Sequence, residues 1–198
     1  MVIYALLFFV LAIYHYFMLP KENKEEQKEE KTTGNVRKEL LEVITSFFTK
    51  KKILWCILFI ILYRFAEGFA IKIAPLFFKA PRTSGGLGLS TSDIGLVYGT
   101  YGSGAFILGS VLAGYFISAR GLKKSLIWLC CAFNIPFVVY ALLAHYQPSD
   151  LLPVGIAEVI EYFGYGFGFV GLMLYMMQQS APGKHKTAHY AFATGIMN

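Results

Sequence analysis

The sequence predicts an all-α membrane protein with about five full transmembrane helices and the start of a sixth. Three observations predict it. Of the 198 residues, 56% are hydrophobic and only 15% charged, against about 25% charged in an average globular chain. Uncharged apolar runs occupy 1–19, 53–63, 94–119, 125–149 and 162–183, and several reach the roughly 18 to 20 residues with which a helix crosses a bilayer. The Lys and Arg residues fall on alternate connections: nine in 20–52, three in 118–125 and two in 180–186, against two in 79–93 and none in 146–150. Basic residues gather on the cytoplasmic side, so Met1 is expected outside and the 20–52 connection inside.

The first element, 1–19, resembles a signal peptide in hydropathy, but it lacks a basic leading segment and a small-residue cleavage site before Pro20-Lys21, so it is expected to span. A cytoplasmic linker, 20–51, comes next. Its KENKEEQKEEK stretch, 21–31, has mixed charge and nothing apolar to bury, which predicts a solvated segment. Val36, Leu40, Leu41, Val43, Ile44, Phe47 and Phe48 then recur near helical spacing ahead of Lys50, Lys51 and Lys52. That pattern predicts an amphipathic helix, lying either on the inner membrane face or against protein.

The remaining region, 52–198, holds the other spans. Tolerating internal charges extends two runs to 52–78 and 151–178, and 187–198 begins another. Ser90-x-x-Asp93 is a capping box that starts the helix after a Gly-rich outer loop. Gly95, Gly99, Gly102, Gly109 and Ala113 are expected on one stripe of that helix, where small residues let helices cross closely. Pro75 and Pro136, the latter beside Asn134, are expected to bend their helices and free backbone groups. Cys56, Cys130 and Cys131 lie in apolar runs without CxxC spacing, so reduced thiols are expected and no disulfide framework.

Residues 158–171, EVIEYFGYGFGFVG, contain the G-x-G-x-x-G spacing of a dinucleotide loop at Gly166, Gly168 and Gly171. That loop needs a preceding strand and a helix opening from its glycines, whereas these lie inside an apolar segment long enough to span. Gly164, Gly168 and Gly171 instead form a packing face. On another face Glu158, Glu161, Tyr162 and Tyr165 stand at i, i+3, i+4 and i+7. In the second span, LYRFAEGFAIK places Arg64, Gly68 and Lys72 at i, i+4, i+8, with Glu67 beside Arg64.

A charge at mid-membrane costs on the order of 3 kcal/mol by insertion scales, so such groups are expected to face protein or a wet cavity. Arg64, Glu67, Lys72, Asn134, Glu158, Glu161, Tyr162 and Tyr165 are therefore the candidates for a substrate and proton pathway, with a structural ion pair as the plainer reading. Arg64 and Glu67 are expected near the middle of their span, and Glu158 and Glu161 about 6 to 10 Å toward the outer side of their own helix's midpoint. His185 and His189 have the i, i+4 spacing of a metal pair, but no Glu or Cys accompanies them, and no metal or cofactor is expected. There is no Ser-His-Asp, HExxH or Walker pattern, so the chain is not expected to be an enzyme. Nor is a nucleic-acid partner expected.

GYFISARGLKK, 114–124, resembles the cytoplasmic loop motif of major facilitator superfamily transporters. Gly114, Gly121, Lys123 and Lys124 match it, while Ser118 and Ala119 stand where the motif has its Asp and Arg. YHYFMLP at 14–20, LYRFAEGFA at 62–70, GLGLSTSDIGLVYGTYG at 86–102, EYFGYGFG at 161–168 and HYAFATG at 189–195 are similar to the muropeptide permease branch, the peptide and acetyl-coenzyme A transporter family. The resemblance implies a partial bundle of two six-helix halves: helix six at 1–19, the central loop at 20–51, and helices seven to ten with the start of eleven at 52–198. It further implies multi-pass insertion in a bacterial inner (plasma) membrane and proton-coupled transport of a small solute, with muropeptides or related anions as candidate substrates. Arg64 would bind an anionic group or hold a carboxylate, and Glu67, Glu158 or Glu161 would exchange protons. Since most of the first half is missing from this sequence, the chain is expected to be inactive alone. The rival readings are a non-transporting membrane scaffold and a membrane-embedded enzyme with these carboxylates as acid and base.

Overall fold

A computed structural model describes residues 2–18 and 36–197. The expected mixed-charge linker at 21–31 lies outside the described residues. Among those described, every regular element is helical. They divide into two units, residues 1–44 and 45–198.

In the first unit, α1 (Val2–Met18) is apolar throughout, and its side chains from Ala5 to Met18 are exposed, as suits a helix surrounded by lipid. Its 17 residues rise about 26 Å, just short of the length that crosses a bilayer unaided. Helix α2 (Val36–Phe48), whose last four residues belong to the second unit, forms where the apolar spacing predicts it. Leu40, Leu41, Ile44 and Phe48 are exposed, while Phe47 is buried.

In the second unit, four helices are long and apolar enough to cross a membrane: α3 (Ile53–Lys79), α4 (Thr91–Arg120), α5 (Leu122–Tyr146) and α6 (Leu151–Ser180). The last helix is α7 (Lys186–Met197). Helix α3 starts after Lys52, whose left-handed φ of 63° turns the chain, and stops before Pro81, which disfavours a helical Ala80. It runs on through Pro75, so the Ile71 carbonyl loses its helical N–H donor. The loop after α3 folds back on the end of that helix, with Leu87 N–H to Phe77 O at 3.0 Å and Leu89 N–H to Phe78 O at 2.8 Å.

Helix α4 is capped as expected, Ser90 Oγ accepting from Asp93 N–H at 3.1 Å. Its stripe of small residues is not continuous. A π-helical stretch, Val97–Gly102, inserts into the ladder and shifts the helical phase of the residues beyond it. Gly95 and Gly99 therefore face open space, whereas a Cβ at Gly109 would lie 2.3 Å from Phe163 O. Gly121, at φ 77° and ψ 148°, makes the α4–α5 turn in a region that only glycine visits readily. The matched motif residues Gly114, Lys123 and Lys124 are exposed around that turn. Pro136 breaks α5 as expected, through a 3₁₀ turn at Ile135–Phe137.

Helix α6 is the centre of the unit and packs most extensively on α4, then α5. Glycines on both sides allow it. Toward α5, an added Cβ would meet Ala132 O at 2.2 Å from Gly164, Phe133 Cβ at 2.4 Å from Gly168 and Leu129 Cδ1 at 2.7 Å from Gly171. Toward α4, it would meet Phe106 O at 2.2 Å from Gly166. Tyr63 of α3 donates to Gly168 O at 2.8 Å. At the other end, Lys50 Nζ donates to the Gln179 and Ser180 carbonyls at 2.9 and 3.1 Å, placing positive charge on the negative end of the α6 dipole.

Candidate functional site

The polar residues within the spans gather where the first half of α6 meets α3, α4 and the second half of α5. Glu158 and Glu161 stand on one face of α6 because they are three residues apart. They are 0% and 5% exposed. Helix α3 contributes Glu67, 1% exposed, held by Arg64, whose Nε donates to Glu67 Oε2 and whose Nη2 donates to Oε1 at 3.3 Å. A fork on a carboxylate is the strong form of this contact, because two parallel bonds fix geometry as well as charge. Both partners sit on one helix, three residues apart.

The α6 carboxyls have no such partner. Neither oxygen of Glu158, nor Oε2 of Glu161, makes a hydrogen bond among the described residues, and the same holds for Tyr98 Oη. Tyr140 is the neighbouring hydroxyl of both carboxyls, and Glu161 lies within electrostatic reach of Glu158 and Glu67. A cavity of about 20 Å³ opens beside Glu161, lined by Ala70 and Ile71 of α3, Tyr98 of α4, Tyr140 of α5, and Tyr162 and Tyr165 of α6. That volume holds about one water-sized species.

The cavity owes its shape to α4. The π-helical stretch carries Tyr98 inward and brings Gly102 beneath the Tyr162 ring, where a Cβ would lie 3.1 Å from Tyr162 Cγ. Tyr98 meets Tyr162 edge-on with centroids 5.5 Å apart. Tyr165 packs on Phe106 and Phe133 at 5.2 and 5.5 Å.

Not every candidate reaches this cluster. Asn134 Nδ2 donates to Cys130 O at 3.0 Å and Tyr63 O at 3.3 Å, so it ties α5 to α3 and does not line the cavity. Lys72 is exposed and, with Arg64, Phe65, Gly68 and Phe69, lines a separate open groove of about 310 Å³ reaching Ile196 and Met197 of α7. The groove carries the positive charge, the cavity the carboxyls. Larger surface depressions, of about 430 and 410 Å³, are lined mainly by apolar side chains, with Tyr101 at one and Tyr140 at the other. His189 is buried, its Nε2 3.0 Å from Ser46 Oγ and its ring 5.6 Å from that of Phe47. It packs on Ser46 and Phe47 within the second unit. Cys56, Cys130 and Cys131 are free thiols.

Tyr98 and Tyr140 were not among the candidates read from the sequence. Each is a lone hydroxyl in an apolar run, and only the packing of α4 and α5 on α6 joins them to the glutamates. The one available signal was a hydroxyl-bearing ring inside the glycine-rich start of α4, at the point where the helix later widens.

A model of the Major Facilitator Superfamily family matches residues 1–198, the whole chain. No curated protein and no solved structure compared with the chain matches it.

Proposed function

Because the chain belongs to the major facilitator superfamily, a family of multi-pass membrane transporters of small solutes, we propose that it contributes to proton-coupled transport. The observation that carries this reading is the meeting, inside the spans, of a forked Arg64–Glu67 pair with two buried carboxyls that have no such fork. An ion pair that only fixed helix register would leave no reason for two further carboxyls beside it. Burial disfavours a charged carboxyl and a nearby arginine favours it. Residues whose exposure alternates through a cycle therefore take up and release protons as their surroundings change.

In this account Arg64 and Lys72 attract an anionic solute into the groove along α3. Glu161, with Glu158 and Glu67, carries the proton, and Tyr162 and Tyr165 wall the cavity. Muropeptides or related anions of the cell wall are the proposed substrates, and a bacterial inner membrane the proposed location. Residues 52–198 would form most of one six-helix half, and alternating access comes from rocking that half against another around a midplane site. The 20–51 segment would be the cytoplasmic connection between halves, with 1–19 as the last helix of the first. On this reading the chain is inactive without the other half.

The test is uptake of a labelled muropeptide by vesicles containing the complete transporter, driven by an imposed pH gradient. Glu161→Gln is expected to abolish gradient-driven uptake. Unchanged uptake sinks the assignment of Glu161, and absence of any uptake of the muropeptide by the unaltered transporter sinks the substrate class.

A further inference from the structure

In an uninterrupted α-helix, Gly95, Gly99, Gly102, Gly109 and Ala113 share one stripe, because their spacing follows the helical period. The structure breaks that stripe. Ser103 N–H reaches back five residues to Tyr98 O and closes the π-helical stretch Val97–Gly102, whose hydrogen-bonded ring is one residue wider than that of an α-helix. After the stretch the stripe is buried, at Gly102, Gly109 and Ala113; before it Gly95 and Gly99 are exposed. A Cβ on either of the exposed glycines would meet nothing within 4 Å, whereas one on Gly109 would lie 2.3 Å from Phe163 O. The later part of α4 is thus clamped on α6 and the start is not. Toward the bundle the start presents Val97, which is 0% exposed, and Tyr98, which lines the cavity beside Glu161. Glycine weakens a helix relative to alanine, and alanine fits the present structure at both 95 and 99. The two glycines therefore have no use in this arrangement of α4.

We propose that the start of α4 has two registers, and that the glycine stripe is the imprint of the second. Converting the wide turn to α-helix, with the clamped part of α4 held in place, turns the segment before it by one residue's rotation, about 100°. Each residue there takes the direction that its predecessor now holds. Gly95 replaces Ile94, Gly99 replaces Tyr98 and Val97 replaces Leu96. Gly95 and Gly99 then line up with Gly102 and Gly109, which face Tyr162 and Phe163 of α6, and let the start of α4 close on that helix as small residues do between spans. Tyr98 leaves the cavity wall for the place of Val97, and a glycine in its stead opens the cavity on its α4 side. A discrete step of this kind suits a packed interface, which is bistable and not continuously deformable, and π-helical turns are frequent at functional sites. The two registers stand without the transport reading; their use as a gate on the cavity rests on it.

The experiment is labelling of a Val97→Cys variant of the purified chain with membrane-permeant N-ethylmaleimide. The label is located by peptide mass spectrometry, so that Cys56, Cys130 and Cys131 are read separately. Position 97 is buried in the present register and takes the place of Leu96, which is 40% exposed, in the second. Leu96→Cys gives the rate of an exposed thiol at this depth, and Leu129→Cys, at a position of α5 that is 0% exposed, gives the rate set by unfolding of the bundle. Val97→Cys is expected to label at least about tenfold faster than Leu129→Cys, because labelling accumulates each visit to the second register. Adding Gly99→Leu is expected to return it to the Leu129→Cys rate, since a side chain at 99 points into open space now and blocks close approach to α6 in the other register. If that combination does not fold, Gly99→Ala takes its place. Removing Thr100, which takes out the extra residue and leaves Val97 turned inward, is expected to slow labelling in the same way. Equal rates for Val97→Cys and Leu129→Cys overturn the second register, as does fast labelling that persists with the side chain at 99 or without Thr100. Labelling reads no uptake, so its failure leaves the transport reading standing, whereas two registers in a complete transporter without gradient-driven uptake overturn that reading alone.

Discussion

Helices α3 and α6 are both long spans that carry a buried acidic side chain, yet they solve the same problem in opposite ways. In α3 the charges satisfy each other: Arg64 grips Glu67 on the same helix, and Gly68 beside them meets nothing. In α6 the carboxyls have no partner on their own helix, while Gly164, Gly166, Gly168 and Gly171 are pressed against neighbouring helices. The first helix pairs its charges within itself, with Glu67 buried and Arg64 partly exposed. The second is immobilised by backbone contact on two sides and holds its carboxyls out to whatever enters. The rigid helix is thus the one that presents the unsatisfied chemistry, as a binding site requires, since a loose support loses geometry.

Substitutions break or sharpen this contrast. The largest effect is expected from Arg64→Met, which leaves Glu67 buried without its counter-charge and costs about 3 kcal/mol or more. The double variant Arg64→Met with Glu67→Met is expected to recover most of that loss in melting experiments. If it does not, the pair is not self-contained. Next comes Gly166→Ala, which drives a Cβ into the Phe106 carbonyl of α4 and is expected to cost about 1 to 3 kcal/mol. Gly68→Ala serves as its control on the other helix and should leave Tm unchanged or slightly raised, since alanine gains up to about 1 kcal/mol in helix propensity. Equal losses at the two glycines would erase the distinction between the helices. Lys50→Met removes two charged hydrogen bonds from the end of α6 and is expected to cost about 1 kcal/mol. The smallest effect belongs to Ser90→Ala, about 0.5 to 1 kcal/mol through loss of the cap, with no change at either site.

The sequence made α3 more legible than α6. Arg64 and Glu67 are three residues apart, and that spacing alone brings them together. The apolar runs, the Ser90 cap, the Pro136 break and the Gly164–Gly168–Gly171 face were readable for the same reason: each is a local pattern with a fixed period. Gly166 was visible only as part of a misleading glycine motif, because its role depends on Phe106 of another helix. The stripe from Gly95 to Ala113 was expected to be continuous and is not. The phase shift at Val97–Gly102 comes from a π-helical stretch that no period announces. Tyr98 and Tyr140 escaped because a lone hydroxyl in an apolar run carries no pattern until tertiary packing brings it to a carboxylate. The Asn134 side chain was grouped with the pathway by its polarity, while its hydrogen bonds to the Tyr63 and Cys130 carbonyls serve helix packing.

The central claim is that the α6 carboxyls couple solute movement to an ion gradient. The most direct measurement compares uptake of labelled muropeptide in vesicles with and without an imposed pH gradient, for the complete transporter and its Glu161→Gln variant. The account predicts accumulation that depends on the gradient in the unaltered protein and falls to the gradient-free level in the variant. Accumulation by the variant that still tracks the gradient would contradict it.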